Sequence, residues 1–218
     1  MSKKAFIFDL DGVIVDTAKY HFLAWRKLAN SMGFDFTHEQ NEQLKGVSRV
    51  KSLEKILAWG NKSVSEDEFN KLMVQKNEDY LTYIEKMDAQ EILPDVGKTL
   101  DFLKEKEQHI ALGSASKNAR MILEKVNLLE KFDVLVDGND VANAKPNPEV
   151  FLNAAKQLQA NPKDCIVFED AVAGIQAANN AGMVSIGIGD KNTLHEANYV
   201  FKNFTEITTD FLSQLIDK

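Results

Sequence analysis

A single cysteine, Cys165, in 218 residues excludes an internal disulfide. Its place in the apolar run Cys165-Ile166-Val167-Phe168 marks it as a small buried filler rather than a nucleophile. No apolar run approaches the roughly 18 residues that a membrane-spanning helix needs, and the Met-Ser-Lys-Lys start lacks the apolar stretch of a signal peptide. Basic residues are in the minority, 26 Lys and Arg against 33 Asp and Glu, for a formal net charge of −7. That balance removes the global electrostatic footprint of a nucleic-acid or anionic-membrane binder. An anionic ligand would have to be met by cations gathered locally. No G-x-G-x-x-G follows the first strand candidate, and Gly187-Ile188-Gly189 comes late and lacks the third glycine, which argues against a dinucleotide site. Internal repeats and low-complexity segments are missing too. A soluble, cytoplasmic protein with no nucleic-acid or membrane partner is expected. No exposed apolar run demands a second subunit, so a monomer is expected.

What the chain does have is an alternation of short β-rich runs and helical patterns. Strands are expected at Ala5–Phe8, His109–Gly113, Val134–Asp137, Cys165–Phe168, Val184–Ile188 and, more weakly, Tyr199–Phe201. Helices are expected around Asn118–Leu128, Glu149–Gln159 and Val172–Ala181. The fold class implied is α/β, a doubly wound, Rossmann-like parallel sheet. Residues Thr17 to Met87 break the rhythm with helical patterns alone, at Thr17–Met32, Val50–Trp59 and Ser65–Lys86. Gly33 suits the residue just past the first of these, and Ser65 with Glu68 suggests a capping box for the third. An all-α insertion directly after the first strand reads as a cap over that strand's carboxyl end. The expected division is a catalytic core of residues 1–15 and 89–218 and a helical cap domain of residues 16–88. Hinges are expected near Val15–Asp16 and Asp88–Leu93.

The richest stretch is Phe8-Asp9-Leu10-Asp11-Gly12-Val13, which puts two carboxylates at the carboxyl end of an all-apolar strand. Open α/β sheets bind their ligands at that end. The pair suits metal-assisted phosphoryl transfer, one Asp as nucleophile and the other as acid/base, although solvated acidic pairs at strand ends are also common. Gly113-Ser114-Ala115-Ser116-Lys117-Asn118 ends the second core strand and opens a helix, where hydroxyls and amides can meet a phosphate; Ser116 could equally cap the helix. Lys145 precedes Pro146 after the third strand and could act as a point charge on phosphate. Phe168-Glu169-Asp170 ends another apolar strand in acids, which supply the oxygen ligands of Mg²⁺, unless Asp170 is only a helix cap. The need for a metal follows from electrostatics. A carboxylate approaching a phosphate dianion to ~4 Å meets about 8 kcal/mol of repulsion at an effective dielectric near 20. A divalent cation between them removes most of it.

Asp9 and Asp11, Ser114, Lys145 and Asp170, in that order, resemble the four motifs of the haloacid dehalogenase superfamily of phosphoryl-transfer enzymes. The resemblance implies that Asp9 is a nucleophile forming an aspartyl phosphate and Asp11 the general acid/base. Asp11 also separates this chain from the dehalogenase branch, which generally lacks a second Asp. Ser114 and Lys145 would hold the transferring group. Asp9, Asp170 and the Asp11 carbonyl would ligate Mg²⁺, with Glu169 as a further ligand or behind one.

The cap residues narrow the resemblance. His21, Ala24, Trp25 and Leu28 share one helix face, which could be simple packing. Leu44-Lys45-Gly46-Val47-Ser48-Arg49 makes a compact loop with two cations, or a solvated basic turn; Lys76 sits on a helix rich in surface charge. Together with Ser114–Asn118 these resemble the mutase branch of the superfamily. That implies a small sugar-phosphate partner, β-D-glucose 1-phosphate exchanged with glucose 6-phosphate, and β-glucose 1,6-bisphosphate as intermediate and activator. Ser114, Ala115 and Lys145 would serve a proximal phosphate, and Arg49, Ser116, Lys117 and Asn118 a distal one. Thr17 and His21 would position Asp11 beside the first hinge. A thousandfold preference for sugar over water requires roughly 4 kcal/mol of differential barrier, which a closing cap can supply. The competing readings are a capped sugar-phosphate phosphatase and a non-enzymatic phosphate-responsive domain.

Overall fold

Alternation along each central strand decides which core its side chains enter. Ala5 and Ile7 of β1 (Ala5–Phe8) join one buried cluster, while Phe6 and Phe8 join another on the opposite face. The strand is thereby buried on both sides, as its unbroken apolar sequence requires. The computed structural model describes residues 3–218. Their six strands form a single parallel sheet ordered β3-β2-β1-β4-β5-β6. These are β2 (His109–Gly113), β3 (Val134–Val136), β4 (Cys165–Glu169), β5 (Val184–Ile188) and β6 (Tyr199–Phe201). The strand order reverses between β1 and β4, leaving a crevice outside the carboxyl ends of those two neighbours.

The core helices are α5 (Val96–Glu105), α6 (Ala119–Lys125), α7 (Glu149–Gln157), α8 (Val172–Asn180) and α9 (Thr209–Asp217). Leu100, Ile122 and Leu212 cover the face that carries Phe6 and Phe8, and Phe151 and Ala177 cover the other. On the first face Phe8 stacks on Phe168 with ring centroids 4.6 Å apart, and Phe204 packs against both. Cys165 is a buried free thiol in the second cluster, the filler that its apolar run suggests.

Between β1 and β2 the chain is helical: α1 (Ala18–Ser31), α2 (His38–Glu42), α3 (Arg49–Trp59) and α4 (Glu66–Ile84). Phe22, Trp25, Leu28, Leu53, Ile56 and Leu72 build a cluster of their own there. The lower part of α4 differs, because Tyr80 and Ile84 pack into the sheet's cluster. The two connections run side by side: Val15 bridges Ile92 in antiparallel fashion, and the Leu93 N–H donates to the Ile14 carbonyl at 2.9 Å. No described helix is long and apolar enough to cross a membrane.

Several local expectations shift. Gly33 does follow α1 with φ +85, a backbone that only glycine adopts without strain. The full capping box, however, belongs to Thr37 and Gln40 at the start of α2; at Ser65 only the Glu68 N–H to hydroxyl half forms. Asp170 caps nothing, since Ala171 is the residue that precedes α8. The helix expected from Asn118 begins at Ala119 and stops at Lys125, and β3 stops at Val136. Helices α2, α5 and α9 are additional to the expected set. Phe8→Ala is expected to cost about 3–5 kcal/mol of unfolding free energy, by lost burial and a residual cavity, read in a denaturant titration.

Candidate active site

The turn after β1 sets the geometry. Asp9 continues the pairing with β4, its N–H donating to the Phe168 carbonyl at 3.0 Å. Gly12 then turns with φ +79, and a Cβ there would collide with the Asp170 carboxylate. The glycine therefore does two things: it adopts a left-handed backbone and clears space for an acid from the neighbouring strand. On the far side of β4, a Cβ on Gly174 would strike the Glu169 carboxyl.

Lys145 fills the centre of the acidic group. Its ammonium is buried and donates to Asp9 Oδ1 at 2.5 Å, Glu169 Oε2 at 2.7 Å and the Gly113 carbonyl at 3.2 Å. Burial would drive the amine down, but Asp9 and Glu169 outweigh it and hold Lys145 above its ordinary value. Lys145, even with Lys45 3.6 Å from Asp170, leaves Glu169 and Asp170 displaced upward. Burial, then the charge of Asp9, pushes Glu169 up to about 7, and burial, then Glu169, raises Asp170 well above the usual carboxylate range. Asp9, Glu169 and Asp170 each offer a carboxylate oxygen within 4.8 Å of the others. An all-oxygen donor set with excess negative charge fits a hard cation such as Mg²⁺.

Asp11 has a different environment. Its carboxylate accepts a hydrogen bond from the Thr17 hydroxyl, and His21 Nε2 stands 3.9 Å from Oδ1. Burial and the charge of Asp9 push Asp11 up to about 6, so it can both hold and release a proton near neutrality. Lys76, expected on a charged surface, is instead buried, and lies 2.8 Å from His21 Nδ1. Burial, then the charge of Arg49, holds the Lys76 amine well below its ordinary value, so the pair is a short contact between two buried nitrogens beside Asp11. Burial, with Lys76 and Arg49 nearby, holds His21 well below its ordinary value and keeps the ring neutral.

Above these groups lies a cavity of about 580 Å³. It brings together Asp9, Asp11, His21, Trp25 and Asp170 with the loop Lys45–Arg49, Lys76 and the segment Ala115–Asn118. Ser114 and Lys145 do not line it. Ser114 is buried below and its hydroxyl accepts the Ser116 N–H at 3.1 Å, while Ser116 in turn accepts from the Asn118 N–H at 3.3 Å. Lys45 bridges Glu42 at 2.9 Å and Asp170 at 3.6 Å. Gly46, with φ +69, lets its loop settle on the β4–α8 turn, where a Cβ would come 2.9 Å from that of Ala171. The Arg49 guanidinium makes no hydrogen bond or ion pair among the described residues, and burial lowers its pKa from the ordinary value. Asn41, Gly138 and residues 141–144 also line the cavity, and Asn77 accepts from the Asn118 amide at 3.1 Å. None of these carried a signal in the sequence except Asn77, which adjoins Lys76.

The sequence matches the haloacid dehalogenase-like hydrolase family over residues 3–182. This chain belongs to that family. Its fold is the family's α/β fold, and its chemistry is that of a phosphotransferase enzyme. A β-phosphoglucomutase of Bacillus subtilis (strain 168) is 41% identical over 213 residues, 97% of this chain and 94% of the relative. A phosphorylated carbohydrates phosphatase of Thermotoga maritima is 30% identical over 204 residues, 90% of this chain and 92% of the relative. Among solved structures, a β-phosphoglucomutase from Clostridium difficile superposes with a TM-score of 0.95 at 43% identity, covering 99% of this chain and 98% of that one.

In this haloacid dehalogenase-like site, Glu169 and Asp11 hold protons in the folded state that the unfolded chain has released. They favour folding below the ordinary values of 4.5 and 3.8 and disfavour it as pH rises through about 7 and about 6. Chelator-treated protein should therefore lose melting temperature as pH rises from 4.5 toward about 7. Added Mg²⁺ should raise it most at the upper end, as scanning calorimetry would read.

Proposed function

We propose that this chain interconverts β-D-glucose 1-phosphate and D-glucose 6-phosphate as a β-phosphoglucomutase, through an aspartyl phosphate on Asp9 and β-glucose 1,6-bisphosphate. The observation that carries this reading is that a single cavity has the Asp9–Asp11 pair and, with no ion pair of its own, Arg49. An unpaired guanidinium lining that cavity is suited to bidentate contact with a second phosphate, which hydrolysis of a monophosphate does not require. Lys117 and Asn118 line the same cavity and would share that distal phosphate.

The chemistry follows from the two carboxylates. In the forward direction the C6 hydroxyl of β-D-glucose 1-phosphate attacks phosphorus of the aspartyl phosphate. Asp11 takes the hydroxyl proton, and the broken P–O bond returns its electron pair to the Asp9 carboxylate. The bisphosphate turns around, and Asp9 attacks the phosphorus on C1. The C1 oxygen leaves with its electron pair and receives the proton from Asp11, which gives glucose 6-phosphate and renews the phosphoenzyme. A group whose pKa is about 6 can perform both halves of this exchange. Lys145 holds Asp9 in place, and Ser114 holds the loop whose Ala115 and Ser116 face the cavity. Asp9, Glu169 and Asp170 would hold Mg²⁺, which supplies the positive charge that lets an anionic nucleophile approach phosphate.

Residues 16–88 act in this reading as a helical cap, tied to the core by the paired segments at Val15 and Ile92. Its Lys45–Asp170 and Asn77–Asn118 contacts exclude water and bring His21 and Lys76 to Asp11. The protein would work as a cytoplasmic monomer on a small sugar phosphate. Formation of glucose 6-phosphate from β-glucose 1-phosphate, with Mg²⁺ and a trace of the bisphosphate, tests the reading against released inorganic phosphate. Rapid isomerisation with little free phosphate is expected, and its loss in Asp9→Asn. Phosphate release without isomerisation would make the chain a phosphatase. Arg49→Ala should raise the KM for the bisphosphate about 10- to 100-fold, the worth of a charged hydrogen-bonded contact, with a smaller effect on kcat.

A further inference from the structure

The turn after β3 has no part in the mechanism above, yet it meets the segment Ala115–Asn118 along its backbone. The Gly138 N–H donates to the Ser116 carbonyl at 3.1 Å, and the Asn139 side-chain amide donates to the Lys117 carbonyl at 3.1 Å. A Cβ on Gly138 would collide with the Ala115 carbonyl oxygen, so only glycine lets the two backbones come this close. The turn is closed by its own side chains. Asp140 Oδ2 accepts the Asp137 N–H at 2.9 Å, and Asp137 Oδ1 accepts the Asn139 N–H at 2.7 Å. The Asp140 N–H returns to the Asp137 carbonyl at 3.0 Å. Such a turn can serve as a fixed point for the chain beside it.

A planar trans peptide ties each of these carbonyls to the N–H that follows it, which points the opposite way. Holding the Ser116 carbonyl against the turn therefore directs the Lys117 N–H away from the turn. That N–H has no acceptor among the described residues, and Lys117 lines the cavity. Its neighbours are already engaged, the Ser116 N–H by the Ser114 hydroxyl and the Asn118 N–H by the Ser116 hydroxyl. Of these three amides, it is the Lys117 N–H that remains for a ligand. The Asn139 amide grips the next carbonyl along, so both peptides that flank the Lys117 Cα are held from the same side. A backbone N–H fixed in this way is suited to an anionic oxygen.

We propose that Asn139, together with the Gly138 N–H, is a positioning residue for the distal phosphate, holding the Lys117 peptides so that the Lys117 N–H meets a phosphate oxygen. This rests on the mutase reading, in which Arg49, Lys117 and Asn118 take the phosphate that is not being transferred. A side chain that sets only where that phosphate sits acts on the ground state and the transition state alike. It therefore changes KM and leaves the transfer step alone.

The test is Asn139→Ala, made at an exposed position where loss of the amide leaves the core untouched. Isomerisation of β-glucose 1-phosphate with Mg²⁺ and varied β-glucose 1,6-bisphosphate is followed beside the wild type, together with the melting temperature. The KM for the bisphosphate should rise about three- to tenfold, the worth of one hydrogen bond of ordinary strength, with kcat and melting temperature held. The link runs through the Lys117 backbone, so Asn139→Ala should raise the KM by the same factor when added to Lys117→Ala. An unchanged KM, whatever the melting temperature does, makes the turn merely structural; it overturns the proposal and leaves the mutase reading intact. A rise that disappears in the Lys117→Ala background also overturns it, because the effect would then belong to the Lys117 side chain. A wild type that releases phosphate and does not isomerise overturns the mutase reading itself, and the proposal with it.

Discussion

The rest of the site depends on one buried cation. Lys145 reaches from the loop after β3 to the ends of β1 and β4 and binds Asp9, Glu169 and a β2 carbonyl at once. Without it, Asp9 and Glu169 at the ends of neighbouring parallel strands would be buried with no cation bound to either, an arrangement costly to keep. With it, the acids keep an excess of negative charge that, after burial itself, displaces Glu169 and Asp170 upward. That excess is what a divalent cation answers. The same lysine fixes Asp9, the proposed nucleophile, so stability and the proposed reactivity there have a common source.

Two carboxylates separated by a single residue, Leu10, are pushed into different surroundings by where the chain turns. Asp9 is still on the strand line and pairs with Lys145. Asp11 is past the turn, meets Thr17 and faces His21 of α1, and so answers to the helices rather than to the sheet. The chain leaves for those helices at Val15 and returns beside it at Ile92, which places a short paired connection only a few residues from Asp11. A movement of the helices relative to the sheet would alter the surroundings of Asp11 and leave those of Asp9 alone.

Much of this was legible in the sequence, for physical reasons that apply unevenly. A fully buried strand must be apolar throughout, so β1, β2, β4 and β5 are plain, and the acids that follow them stand out against that background. The long amphipathic helices α1 and α4 are plain for the same reason. Polar five-residue α2 is not, because a capping box and no apolar stripe defines it. Lys76 looks like one charge among many, and only the spacing Leu72, Lys76, Tyr80, Ile84 places it on the buried stripe of α4. Asn41 comes to the cavity from the short helix α2, and Gly138 and residues 141–144 from loops whose course is set by tertiary packing, and no local pattern announces them.

The central claim is that Asp9 carries the phosphoryl group. Enzyme mixed with substrate and quenched with borohydride, which reduces an aspartyl phosphate to homoserine, allows the position to be read by peptide mass spectrometry. The account predicts homoserine at residue 9 and at no other aspartate, and none without substrate. Reduction at another aspartate, or none at all during steady turnover, would contradict it.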